Sequence, residues 1–248
     1  MYQEILSNWK EKRIRTASDL DAVVNGQAVT LAYNTTKLEL ADVTFHDTRE
    51  IFEHGRVTGF TGDVTTLFAL QNAKRAWEVF LDSFDSSAKL DEQLVKQFHY
   101  VLTAGTYDER RYKRGERPGE YKKGDYVTGI HEVGAHPEDV QDEILELLED
   151  IKNVDNKDAL TAAAFFHAKF ENIHPFADGN GRTGRLLMNY LLVIHNHPPI
   201  VIHEEDRRQY FDSLEAWDST QDLKPLIHFL MEQTAKTWKK QLERSERK

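Results

Sequence analysis

Residues 174–185 read His-Pro-Phe-Ala-Asp-Gly-Asn-Gly-Arg-Thr-Gly-Arg, and these twelve positions carry most of the chemistry the sequence offers. Gly179, Gly181 and Gly184 let the backbone turn its N–H groups to one side, forming an anion nest. A helix expected from about Arg182 adds the unpaired N–H groups of a first turn, which favour phosphate. Arg182 and Arg185, three apart, fall on neighbouring positions of that turn. Two guanidinium forks beside a helix N-terminus make a polyphosphate clamp. Asp178 would repel a phosphate unless a cation offset it. Mg²⁺ suits the role, since it takes one or two carboxylates plus phosphate oxygens. His174, at the loop's entrance, is placed to accept a proton from an incoming hydroxyl. Base, metal carboxylate, nest and arginines together describe phosphoryl or nucleotidyl transfer.

Two other readings of the stretch compete. The three glycines also fit G-x-G-x-x-G, with Glu204 and Glu205 after Ile200-Val201-Ile202 about twenty residues on, as in a dinucleotide-binding fingerprint. That fingerprint needs a buried strand before its first glycine, and the lead-in here, Asn172 to Asp178, holds a proline and a charge. A plain helix–turn–helix connection explains the glycines as turn chemistry. It leaves a histidine, an aspartate and two arginines in one short loop without a reason.

The elements that must hold this loop read as helices. Residues 157–172 (KDALTAAAFFHAKFEN) are alanine-rich and aromatic, and residues 182–195 (RTGRLLMNYLLVIH) are more apolar still. Upstream, residues 64–84 repeat Leu67, Leu70, Ala73, Trp77, Phe80 and Leu81 at helical steps. Residues 91–104 and 137–152 repeat the pattern, the latter opening on Pro137 and two acids. A mixed-charge helix is expected from Leu223 onward. Strand signals are few: Tyr126-Val127-Thr128 before Gly129-Ile130 reads as half of a hairpin, and Ile200-Val201-Ile202 is a short apolar run of open type. Residues 105–125 form a basic loop whose charges are read mainly as solvated.

Composition narrows the function classes. The formal charge of −10 over 248 residues argues against a broad nucleic-acid surface. With no cysteine there is no disulfide, thiol nucleophile or Cys-ligated metal. No apolar run approaches the roughly 20 residues that span a bilayer, and the N-terminus carries no export signal, so a cytoplasmic protein is expected. The eleven histidines include His167, His174, His195, His197 and His203, but no H-E-x-x-H spacing points to a metal hydrolase.

Residues 174–185 resemble the signature of the Fic family, H-P-F-x-[D/E]-G-N-G-R-x-x-R, at every defined position. The resemblance extends from about Tyr33 to about Thr234. It implies an all-α fold with a small β-hairpin, the flap, over the active site. The implied activity is transfer of AMP from ATP to a Ser, Thr or Tyr hydroxyl of a target protein. By the same resemblance His174 is the catalytic base and Asp178 holds Mg²⁺. Gly179, Asn180 and Gly181 form the anion hole, and Arg182 and Arg185 bind the outer phosphates. Gly181 stands where the related Doc kinases carry lysine, which favours nucleotidyl over phosphoryl transfer. Tyr126, Val127 and Thr128 of the flap would hold the target segment by strand-like pairing, with Lys122 where relatives often carry arginine. Tyr210 would line the adenine pocket, and Asp218 replaces an asparagine common there.

Residues 33–44 resemble the inhibitory helix found ahead of many Fic cores, [S/T]-x-x-x-E-[G/N]. Thr35 and Glu39 fit, while Leu40-Ala41 replaces the usual Gly-Asn. A glutamate paired with Arg185 would occupy the partner of the γ-phosphate. In some relatives it also directs a water that removes AMP. The expected organisation is an N-terminal helical region over residues 1–55 and a Fic core over residues 56–248, with a homodimer allowed. Alternatives are a nucleotide-binding regulatory protein with silenced catalysis, or a Fic-type transferase using another nucleotide donor.

Overall fold

The computed structural model describes residues 1–24, 26–126 and 134–245. Among them the chain forms helices α1 (Tyr2–Glu11), α2 (Ala17–Val24), α3 (Gln27–Lys37), α4 (Phe45–His54), α5 (Val64–Asp85) and α6 (Glu92–Thr103). There follow α7 (Glu109–Lys113), α8 (Val140–Asp150), α9 (Ala159–Ile173), α10 (Asn180–Ile194), α11 (Arg207–Thr220) and α12 (Lys224–Ser245). No strand occurs among the described residues, and none of their helices is long and apolar enough to cross a membrane. The expected hairpin falls chiefly on Val127, Thr128 and the residues to 133, which lie outside the described residues. Tyr126 is described and has no regular structure. The run Ile200-Val201-Ile202 is buried coil.

Local chemistry sets the helix starts. Thr44, Asp63, Asp91 and Asp108 each accept a backbone N–H from the first turn of α4, α5, α6 and α7, satisfying a donor the helix itself cannot pair. Helix α8 begins three residues later than Pro137 suggests, because residues 137–139 form a turn. The N-terminus of α10 moves the other way. It starts at Asn180, two residues before the expected Arg182, because Gly179 takes the left-handed conformation (φ 83°) and turns the chain directly into the helix.

Helices α9 and α10 form the centre. They approach so closely that a Cβ at Gly184 would lie 2.7 Å from Glu171 Oε1 and 3.0 Å from Phe170 Cδ1. That glycine therefore serves helix packing and not the anion nest expected of it. Behind them Phe80, Phe98 and Tyr190 meet edge-on or stacked across α5, α6 and α10. The Tyr190 hydroxyl donates to the Ser83 and Ala88 carbonyls at 3.0 and 2.6 Å. Truncating a ring such as Phe98, which is fully buried, costs about 3–5 kcal/mol.

The first 55 residues share this core. Trp9 of α1 packs edge-on against Trp238 of α12 at 5.2 Å, and the Tyr2 hydroxyl bonds His197 Nδ1 at 3.1 Å. Leu20 and Val24 of α2 are completely buried in the same cluster. Helix α3 lies across α10 and α5, tied down where Asn34 Oδ1 accepts the Glu204 N–H at 2.8 Å.

Candidate active site

The turn between α9 and α10 is locked by its own side chains. Asn180 closes a ring with Phe176, its Oδ1 accepting the Phe176 N–H at 2.9 Å and its Nδ2 donating to the Phe176 carbonyl at 2.8 Å. The Asn180 amide is thus committed to shaping the loop, which leaves backbone N–H groups of the first turn of α10 as the anion donors. A second clamp comes from α6. His99 Nδ1 accepts the Gly119 N–H at 2.8 Å, so its Nε2 carries the proton and donates to the Asp178 carbonyl at 2.9 Å. The ring stacks on Phe176 at 3.6 Å. Burial holds the His99 pKa down to about 3, so this neutral tautomer persists at ordinary pH.

His174 follows α9 directly in a left-handed conformation (φ 50°, ψ 61°) that non-glycine residues seldom adopt. Its Nδ1 is buried without a partner. Burial first, and then the nearby charge of Lys122, bring its pKa down to about 4, against the opposing pull of Asp178 and Glu39. The imidazole is neutral at physiological pH and free to accept a proton. Its neighbours anchor the segment expected to form the flap. The Lys122 N–H donates to the Pro175 carbonyl at 2.9 Å and the Ala135 N–H to the Ile173 carbonyl at 2.8 Å. The two ends of that segment are therefore pinned on either side of His174. Lys122 itself is buried, its Nζ donating to the Tyr126 carbonyl at 3.0 Å.

The two arginines three apart have different surroundings. Arg185 is 4% exposed and makes four hydrogen bonds. Its Nε donates to Thr35 Oγ1 at 2.8 Å, Nη1 to the Tyr210 hydroxyl at 3.3 Å, and Nη2 to the Thr35 carbonyl at 3.0 Å and to Glu39 Oε1 at 2.7 Å. Arg182, equally buried, has only a 3.4 Å bond to the Leu102 carbonyl and a 3.7 Å approach to Asp178, and its Nε has no partner. An anion entering the loop finds Arg182 under-used and Arg185 taken.

Glu39 reaches Arg185 from the turn after α3, since the helix ends at Lys37 instead of carrying the glutamate within it. Burial alone would raise the Glu39 pKa, but the charge and hydrogen bond of Arg185, helped by Arg182 and Arg207, hold it below the usual range. Leu40 turns into a small apolar cluster with Val43, Ile51 and Leu70, so its bulk is accommodated and the glutamate stays close. A Cβ at Gly181 would collide with Glu39 Oε1 and lie 2.8 Å from Arg185 Nη1. Tyr210 is fully buried, its hydroxyl bonded to His167 Nε2 at 2.7 Å as well as to Arg185. It supports the arginine from behind. Beyond it lies Glu171, whose carboxyl is pushed up to about 8 by burial. Asp218 accepts from Asn172 Nδ2 at 2.8 Å.

Asp178 is the acid available to a cation at the loop. Its side chain is 37% exposed and therefore reachable. A single carboxylate suits Mg²⁺ arriving with phosphate oxygens better than a preformed cage. Among the described residues, the one compact group of acids and histidine that could hold an ion is Glu50, Glu53 and His54 on α4, away from this loop in sequence. Sequence reasoning missed the supporting residues His99, Tyr107 and Arg111. Tyr107 is buried and its hydroxyl reaches the Asp178 carbonyl at 3.4 Å. Only the Tyr-Asp start of α7 hinted that residues 105–125 are more than a solvated loop.

Residues 89–192 match the Fic/DOC family. A protein adenylyltransferase Fic from Aedes aegypti is 44% identical over 75 residues, covering 30% of this chain and 15% of that protein. Its Drosophila willistoni counterpart is 36% identical over 122 residues, covering 48% of this chain and 24% of that protein. The matched segments thus span a quarter or less of those relatives. Among solved structures, a Fic domain-containing signaling protein from Bacteroides thetaiotaomicron superposes with a TM-score of 0.80 at 21% identity, over 98% of this chain and 95% of that one. Fic-1 from C. elegans gives 0.78 at 19%, over 99% and 73%. At these identities the superpositions establish the fold.

Proposed function

From the match of residues 89–192 to the Fic/DOC family, we propose that this chain is a protein adenylyltransferase restrained by its own Glu39. The observation that carries the reading is the neutral His174, its Nδ1 unpartnered, beside a nest that carries the reachable carboxylate of Asp178. The names of the sequence relatives favour AMP as the transferred group. His174 takes the proton of a Ser, Thr or Tyr hydroxyl on the target. The freed oxygen attacks the α-phosphate of ATP, a new P–O bond forms, and pyrophosphate departs with the bridging oxygen's electron pair. First-turn N–H groups of α10 stabilise the charge that develops on the phosphoryl oxygens. Arg182 and, once released, Arg185 hold the outer phosphates. Asp178 would hold Mg²⁺, which supplies charge neutralisation between the phosphates. Tyr126, Val127 and Thr128 align the target segment, and Tyr210 braces the nucleotide cleft. Residues 1–55 act as the restraining region on the core of residues 56–248.

The test incubates the Glu39→Gly protein with Mg²⁺ and α-labelled or γ-labelled ATP. Label retained on protein from α-ATP alone supports AMP transfer. Retention from γ-ATP alone would make it a kinase, and equal labelling in His174→Ala would remove that residue as the base. Parallel reactions with the other three nucleotides read the base preference.

A further inference from the structure

Arg111 lies outside the glycine loop, yet its Nη2 stands 3.2 Å from Asp178 Oδ2. We propose that Arg111 is a third phosphate-binding arginine, resting on Asp178 until a cation takes that carboxylate and then turning to the outer phosphates. The proposal rests on the reading of this site as a nucleoside triphosphate site.

Four features support it. The residue is delivered by a built scaffold: Asp108 caps α7 by accepting the Arg111 N–H at 2.8 Å, and the Arg111 carbonyl accepts the Glu116 N–H at 3.0 Å. Glu116 is itself buried and accepts the Lys123 and Gly124 N–H groups, both at 3.0 Å. Secondly, Tyr107 and Arg111, four residues apart, converge on the same aspartate, one at its carbonyl and the other at its carboxylate. Thirdly, the resting pair is exchangeable. Its side chains are 33% and 37% exposed, where an ion pair contributes only about 0–1 kcal/mol. Arg185, by contrast, is itself 4% exposed and bonds Thr35 and Tyr210 as well as Glu39. Finally, Asp178 faces two guanidiniums, Arg111 and Arg182. Once a cation occupies the carboxylate, Arg111 loses its anion at the mouth of a nest that recruits another, and a bidentate guanidinium fork matches a phosphate. Asp108 Oδ2, 3.6 Å from Nη1 and at the surface, is its weaker alternative.

Titration calorimetry in the Glu39→Gly background tests this without turnover. The probes are AMP and a non-hydrolysable β,γ-imido analogue of ATP, each with Mg²⁺. Arg111→Ala and the bulkier Arg111→Gln should weaken the triphosphate analogue about tenfold, leave AMP within about twofold, and keep the melting temperature of the parent. Arg111→Lys should recover part of the loss. Unchanged or tighter binding of the analogue would overturn the proposal while leaving the site reading intact, since a residue that merely blocks Asp178 gives that result. Equal weakening of AMP and the analogue would also overturn it. If the Glu39→Gly parent binds no triphosphate, the site reading fails and takes the inference with it.

Discussion

The α9–α10 loop and the turn after α3 meet at Arg185, but they are held in different ways. The loop is fixed from within: Asn180 on Phe176, His99 on Asp178, and the flanks of His174 tied to Lys122 and Ala135. Every one of these bonds involves a backbone group that would otherwise be left unpaired. The last turn of α3 and the turn after it offer the site two side chains, Thr35 and Glu39, and Glu39 is 35% exposed. On the proposed function, one region is a frame and the other a cover. The proposal requires that an anion competing for Arg185 displace the cover without disturbing the frame.

The comparison can be broken most severely at the base. His174→Ala should lower AMP transfer by about 10²–10⁴-fold, measured with α-labelled ATP, with the melting temperature close to that of the parent. A frame residue should cost stability as well as rate. Asn180→Ala strips partners from two buried backbone groups at a cost of about 1–3 kcal/mol each, read as a lower denaturant midpoint. Thr35→Ala in the cover removes one hydrogen bond from the charged Arg185 guanidinium, worth about 1.5–3 kcal/mol, and should raise transfer where Asn180→Ala abolishes it. Matching stability losses in the two variants would erase the distinction between frame and cover.

A smaller effect tests the frame alone, by pH. His99, His167 and His174 are held neutral, with pKa values brought down by burial to about 3, 3 and 4. Between pH 4 and 6.5 the unfolded chain binds protons that the folded frame refuses. Stability is therefore full above about pH 6.5 and falls as the pH drops toward 4. Glu171 acts in the opposite sense. Its folded pKa, raised to about 8, makes a contribution that is present below pH 4.5 and is lost as the pH rises through 8. Glu171→Gln should flatten the alkaline limb of a denaturation-versus-pH curve and leave the acid limb unchanged.

How much of this was legible follows the same division. The frame is local in sequence: a histidine, an acid, glycines and arginines within twelve residues, between two helices whose composition already marks them as buried. Even there, the start of α10 and the side-chain bonds of Asn180 to Phe176 escape the motif, because a left-handed Gly179 and a side chain bonding backward leave no mark in it. The Glu39 contact spans 146 residues, and without the family resemblance Glu39 is one of many surface acids. His99, Tyr107 and Arg111 were invisible for the same reason, since their roles depend on where α6 and α7 pack. Residues 105–125 were read as solvated because their charges are exposed on average, though the few that matter, Glu116 and Arg111, are held in place.

The central claim is that Glu39 restrains an otherwise competent site by holding Arg185. Its most direct test compares initial rates of α-labelled AMP transfer by the wild-type and Glu39→Gly proteins at one ATP and Mg²⁺ concentration. A charged hydrogen bond of about 1.5–3 kcal/mol corresponds to a rise of about 10- to 150-fold on its removal. Equal rates in the two proteins, with ATP bound equally well by both, would contradict the account.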